Sequence, residues 1–176
     1  MSIAQKEADW NDIRDWARPI HPYSVLDIGS GTAGIHKYLV PDTTVQKVHL
    51  MDGGKAIPSQ MGWNPNGTTP WRDVNDGVGR LKGMKWDIEI TGHKARPNLV
   101  IPVDLIISMK SWGFHYPIST YLELARNSLN KGGRIITDLR KNTGQIEVLA
   151  KWFHLVELDV GRSGKCFRTV WEHKER

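Results

Sequence analysis

Two stretches of the sequence carry residues whose types and spacing could do chemistry. The first is Ser24-Val-Leu-Asp-Ile-Gly-Ser-Gly-Thr-Ala-Gly34, where an apolar run leads into an acid and then into closely spaced glycines. Gly29 and Gly31 permit a positive φ and let a ligand approach the backbone, and Gly34 lets a following helix pack close to the strand. Asp52 closes the next apolar run, where an acid can accept hydrogen bonds from both hydroxyls of a ribose. Together these residues read as a nucleotide-cofactor loop. The second stretch is Ser108-Met-Lys-Ser-Trp-Gly-Phe-His-Tyr-Pro117. It offers a base in His115, a cation in Lys110, hydroxyls in Ser111 and Tyr116, and aromatic walls in Trp112 and Phe114. Each has a plainer alternative: His115 fixing the loop or capping the next helix, Lys110 solvated, the two aromatic rings packed.

Asp27 bears on which cofactor the first stretch holds. A dinucleotide places its pyrophosphate on such a loop and on the helix N-terminus behind it, and a carboxylate two residues before the first glycine would repel that anion. S-adenosylmethionine has no phosphate. Its methionine end carries an ammonium and a sulfonium, and a partly buried charge-assisted contact to them is worth about 1.5–3 kcal/mol. The sign of Asp27 therefore favours the sulfonium cofactor, against the alternative that Asp27 merely caps the turn.

These residues need elements to hold them. Residues 3–17 read as an amphipathic helix with Ile3, Trp10, Ile13 and Ala17 on one face, stopped by Pro19. Tyr23 to Ile28 is a strand, apolar almost throughout, as in a parallel sheet covered on both faces. A short helix follows with Ile35, Tyr38 and Leu39 inward, ended by Pro41-Asp42, and then a strand from Val45 to Met51. Residues 53–72, rich in glycine and proline, read as a long irregular insertion. Beyond it the pattern predicts a helix over 73–84, strands over 86–91 and 103–108, a helix over 117–130 ended by Lys131-Gly-Gly133, a strand over 134–139, and a helix over 143–153. Two final strands, 154–160 and 165–172, flank an Arg162-Ser-Gly164 turn. Strands alternating with helices and closing on an antiparallel pair make an α/β fold: a doubly wound, mostly parallel seven-stranded sheet with a C-terminal antiparallel hairpin and helices on both faces.

At 176 residues the chain is expected to be a single domain, 1–176, with an N-terminal helix over 1–19. No apolar run approaches the length of a membrane span. Glu7 and Asp9 stand where a secretory leader would be basic and then apolar. The single cysteine, Cys166, excludes an intramolecular disulfide and fits a reducing compartment, so a cytoplasmic location is expected. The net charge of +5 is scattered, which describes a mildly basic solvated surface better than a nucleic-acid footprint.

Val25-Leu-Asp-Ile-Gly-Ser-Gly-Thr-Ala-Gly34 resembles motif I of the class I (Rossmann-like) S-adenosylmethionine-dependent methyltransferases, and Asp52 matches their acid beyond that motif. Val103-Asp-Leu-Ile-Ile-Ser108 is similar to their fourth strand, Leu129-Asn-Lys-Gly-Gly-Arg-Ile-Ile-Thr137 to their turn into the fifth, and the closing hairpin to their reversed seventh strand. The resemblance covers roughly residues 20–172. It implies an enzyme that uses S-adenosyl-L-methionine, with Asp27, Gly29, Ser30, Gly31, Gly34, Asp52 and Ser108 as cofactor contacts, and no metal. Thr91, Gly92 and His93 are candidates for the adenine contact that members of the family make after strand three. His115 and Lys110 are the catalytic candidates, since methyl transfer needs alignment and, for some acceptors, a base. The acceptor expected is a small molecule or glycan, methylated on oxygen. The alternatives are an RNA or protein acceptor, RNA drawing on the net charge, and a cofactor-binding accessory domain without turnover.

Overall fold

In a computed structural model the described residues are 3–30, 34–39, 44–52, 74–84, 87–159 and 164–174, with the side chains of residues 3–8 and 36 left aside. Gly31, the Pro41-Asp42 helix stop, the 53–72 insertion, Trp86 and most of the Arg162-Ser-Gly164 turn lie outside them.

Seven strands form one sheet: β1 (Ser24–Ile28), β2 (Lys47–Asp52), β3 (Glu89–Lys94), β4 (Val103–Ser108), β5 (Leu129–Arg140), β6 (Phe153–Asp159) and β7 (Cys166–His173). Their order is β3-β2-β1-β4-β5-β7-β6, and β7 runs antiparallel to both its neighbours. β1 and β4 are the central strands and are apolar along nearly their whole length, as strands covered on both faces must be. Asp104 registers them at their amino ends, where its Oδ2 accepts the backbone N–H of Tyr23 at 2.9 Å and of Ser24 at 3.2 Å.

The period-two alternation of side chains divides the core into two layers. On one face Val25, Val48, Leu50, Leu105 and Ile107 pack against α1 (Ile3–Ala17), α2 (His36–Leu39) and α3 (Val74–Gly83). On the other, Leu26, Ile28, Ile106 and Ile135 pack against α4 (Leu122–Ser128) and α5 (Gln145–Ala150). Ile13, Ala17, Ile35, Tyr38 and Leu39 are all buried, as the helical periodicity predicts, and so is Cys166. No helix among the described residues is long and apolar enough to cross a membrane.

The structure departs from the sequence pattern in three places. The helix expected over 117–130 is a 3₁₀ turn, Ile118–Thr120, followed by the short α4, because Tyr121 (φ −121°) leaves helical geometry between them. The chain is then drawn into strand at Leu129 by pairing with Val103, so Lys131-Gly-Gly133 lies inside β5 instead of capping a helix. Gly133 is a glycine there because a Cβ would stand 2.5 Å from the carbonyl oxygen of Asp104. Secondly, β3 begins at Glu89, not Trp86, since the register Lys47↔Glu89 through Asp52↔Lys94 aligns it with β2. Thr91, Gly92 and His93 are therefore within the strand, not after it. Thirdly, the helix expected over 143–153 is only Gln145–Ala150, and Phe153 opens β6.

Candidate functional site

In an open α/β sheet, ligands bind beyond the carboxyl ends of the strands, where the strand order reverses. Here that point lies between β1 and β4, and both stretches singled out from the sequence meet at it.

Asp27 is the penultimate residue of β1 and is 4% exposed. Burial, with the negative charge of Asp52 added to it, pushes its carboxyl up to about 7. Asp52 ends the neighbouring β2. The chain then turns at Gly29 (φ +74°), whose N–H donates to the Met51 carbonyl at 2.8 Å, so the glycine turn hooks over the end of β2. A Cβ at Gly29 would run into the Ser111 hydroxyl, so a glycine is required there by a protein neighbour as well as by its backbone angle. The Ser30 hydroxyl is buried and has no hydrogen-bond partner among the described residues. An unpaired buried hydroxyl is costly, and a ligand at this turn would satisfy it. Gly34 does not mainly serve helix-to-strand packing: the nearest atom to its missing Cβ is in the Trp10 ring of α1, at 3.2 Å, so α1 sits directly on the glycine loop's helix.

The sequence-predicted contact Ser108 stands behind the site. It is fully buried, and its hydroxyl donates to the Ile28 carbonyl at 3.0 Å and accepts from the Trp112 N–H at 2.9 Å. These bonds tie the end of β1 to the loop after β4. Trp112 is likewise a packing residue, fully buried, with its indole N–H donated to the Ile118 carbonyl at 2.8 Å. His93 pairs with His49 across β2 and β3 at 2.9 Å.

The loop after β4 divides its side chains between two places. Ser111 and Tyr116 lie on the Gly29 side, with their hydroxyls 2.7 Å apart. The Tyr116 phenol is pushed far up, first by burial and then by Tyr121, and the charges of Asp52 and Asp27 also act on it, so it stays a neutral donor beside the two acids. Tyr121 stacks edge-on to Tyr116 and is itself raised to about 12 by burial and by Asp52. His115 instead sides with β5. Its ring meets Phe114 edge-on at 5.0 Å, and its Nδ1 is buried without a partner among the described residues. Burial, then the Arg140 guanidinium, holds the imidazole below its ordinary pKa, so it is neutral at pH 7 and able to accept a proton. Lys110 adopts a left-handed backbone (φ +50°), and its N–H donates to Asp138 Oδ2 at 3.1 Å. Among the described residues no three His, Cys, Asp or Glu side chains converge as a metal site would need.

Sequence reasoning did not find what anchors Lys110. Arg168 of β7, almost fully buried, reaches Asp138 Oδ1 at 2.9 Å, Asp9 Oδ1 at 2.6 Å and Asp12 Oδ2 at 3.5 Å. Burial raises the Asp138 carboxyl, with Arg168 opposing that rise, and the acids in turn hold the guanidinium more firmly protonated. One buried cation thus joins α1, β5 and the root of the loop after β4. The available signal was a charged residue at an inward position of an otherwise apolar strand, Cys166-Phe-Arg-Thr-Val-Trp171.

No protein-family model matches the sequence, and no curated protein matches it. Solved structures do resemble it. A TehB-like S-adenosylmethionine-dependent methyltransferase of Corynebacterium glutamicum matches with a TM-score of 0.61 and 15% identity, over 98% of this chain and 89% of that one. A magnesium protoporphyrin IX methyltransferase of Synechocystis PCC 6803, crystallised with bound S-adenosylmethionine, matches at 0.67 and 12%, over 97% and 81%. The B. subtilis M1A22 tRNA methyltransferase TrmK matches at 0.64 and 16%, over 94% and 65%. The chain has the fold of the class I methyltransferases, including the antiparallel strand between β5 and β6.

Proposed function

We propose that this chain is an S-adenosylmethionine-dependent methyltransferase. The observation that carries the reading is a pair of acids, Asp27 and Asp52, at the ends of adjacent parallel strands around the positive-φ turn at Gly29, with the Ser30 hydroxyl beside them unpaired among the described residues. Two acids at one turn, one of them raised to about 7 by its burial and then by the charge of the other, suit a cation and disfavour a pyrophosphate. The residues therefore fit the group. Asp52 would hold the ribose hydroxyls, Asp27 the cationic methionine end, and Ser30 and the Gly29 backbone its polar atoms. When bound, the cofactor supplies an activated methyl group. The protein's part is then alignment, with the loop of residues 109–117 holding the acceptor. Neutral His115 takes the proton of an acceptor hydroxyl, and Lys110 offers charge beside it. The acceptor favoured is a small molecule or glycan methylated on oxygen. An RNA acceptor is the second reading, and the net charge of +5 favours it.

The test is thermal. S-adenosylmethionine and its demethylated product are expected to raise the melting temperature, whereas NAD and NADP leave it unchanged. Stabilisation by NAD alone overturns the reading.

A further inference from the structure

Between β2 and β7 the carboxyl edge of the sheet changes sign; the outer strands run against this, with Lys94 ending β3 and Asp159 ending β6. At β2 and β1 it carries Asp52 and Asp27. From β4 onward it carries Lys110 after β4, Arg140 as the last residue of β5, Lys141 next to it, and Lys165 just before β7. These cations come from three separate segments, which backbone hydrogen bonds align along one edge. The Arg140 N–H donates to the Gly113 carbonyl at 2.9 Å, and the Lys141 N–H donates to the Lys165 carbonyl at 3.1 Å. Arg140 thus stands directly beside the loop that carries His115.

Two of these cations are held on aromatic faces. The Arg140 guanidinium centre lies 4.5 Å from the Phe114 ring centroid, and its Nε donates to the Phe114 carbonyl at 2.8 Å. The Lys141 ammonium lies 5.0 Å from the Phe167 centroid. A ring positions a cation without neutralising it, and so leaves its charge available to an anion. Of the acids in this region, Asp138 is buried against Arg168, Glu147 lies in the first turn of α5, and Asp159 ends β6 at the outer end of the same edge, beyond β7. The acidic half of the edge suits a cationic cofactor by charge, and the basic half is its complement on the acceptor side.

We propose that the basic half of the edge, centred on Arg140 and Lys141, is an oxyanion-binding site and that the methyl acceptor carries the oxyanion, a phosphate or carboxylate, that it takes. The proposal rests on the methyltransferase reading for the word acceptor, while the anion site itself can be measured independently. A guanidinium fork presents donors in the geometry of phosphate and carboxylate oxygens. An oxyanion on Arg140 would also bring the rest of its molecule to His115.

The experiment uses the full chain, with and without saturating demethylated cofactor. Two probes are titrated: inorganic pyrophosphate, by calorimetry, and a short labelled oligouridylate, by anisotropy. Pyrophosphate is expected to bind the wild type, and the Arg140→Gln/Lys141→Gln double variant to lose at least about tenfold in affinity. The variant's affinity for the demethylated cofactor is expected to stay unchanged. Tighter binding of oligouridylate, falling steeply between about 50 and 200 mM salt, would assign the oxyanion to a nucleic-acid backbone. Binding of pyrophosphate alone would assign it to a small molecule. If the double variant fails to fold, Lys141→Gln alone is read in the same way, with a smaller loss expected. Failure of both probes to bind, or equal binding to wild type and folded variants, overturns the proposal. Anion binding that is lost in the variant, in a wild type that does not bind the demethylated cofactor, would keep the anion site and overturn the methyltransferase reading instead.

Discussion

The two halves of the carboxyl edge are built differently. The acidic half comes from short, nearly contiguous chain: Asp27, Gly29 and Ser30 follow one another, and Asp52 enters through the adjacent parallel strand. The basic half is assembled from residues near 110, 140 and 165, joined by the β5–β7 pairing and by Arg168 beneath them. A site made of neighbours in sequence can be read from a motif. A site made by strand order needs the sheet. Under the proposed reading the difference also divides the labour: the acidic half takes the donor and the basic half the acceptor, with the loop after β4 between them.

The sharpest way to break this arrangement is to remove the cation under the basic half. Arg168→Met leaves Asp138 and Asp9 buried without their partner, which is expected to cost about 3–5 kcal/mol in a denaturant-unfolding measurement. A loss below about 1 kcal/mol would mean that the network is not what ties α1 and the loop root to the sheet. Next in size is His115→Ala. Turnover is expected to fall by about a hundredfold while the demethylated cofactor binds normally. Undiminished turnover would leave His115 a loop-fixing role only. On the acidic side, Asp52→Ala is expected to weaken cofactor binding at least tenfold, or about 1.4 kcal/mol, in a calorimetric titration. Unchanged affinity would remove the ribose assignment.

A further expected effect is a pH dependence to which the acidic half contributes through Asp27. Asp27 ionises near 7 in the folded chain against 3.8 for an ordinary carboxyl. Between those values the folded state holds the extra proton, so stability falls as pH rises through that window. The affinity for a cationic cofactor runs the other way and rises as Asp27 ionises towards pH 7, because the carboxylate is the form that attracts it. Asp27→Asn is expected to flatten both slopes. Urea midpoints and cofactor titrations at several pH values across the window test this, and slopes retained in the variant would move their origin elsewhere.

Much of the fold is legible in the sequence because its elements bury themselves locally. β4 spans 103–108 and α1 spans 3–17 in both readings, the first a continuous apolar run and the second a clear helical stripe. The misplacements fall where a neighbour overrides the local pattern. β2 pulls the start of β3 three residues along the chain, and Val103 captures Leu129 from the end of a predicted helix. In the site, Asp27, Gly29 and Asp52 are legible as a motif. The bonds of the Ser108 hydroxyl to Ile28 and Trp112, which tie β1 to the loop after β4, are not legible there.

By itself, the sequence determined the kind of fold, the place of the glycine turn and the sign of the charge beside it. Periodicity, glycine spacing and the position of one acid are local properties that no later packing alters. Only the tertiary structure decided that Ser111 and Tyr116 lie over Gly29, that His115 lies within the influence of Arg140, and that Arg168 reaches back 159 residues to Asp9. Those contacts depend on which strand lies beside which. That order is set by the burial of the whole sheet between its two layers of helices, and no short stretch of residues encodes it.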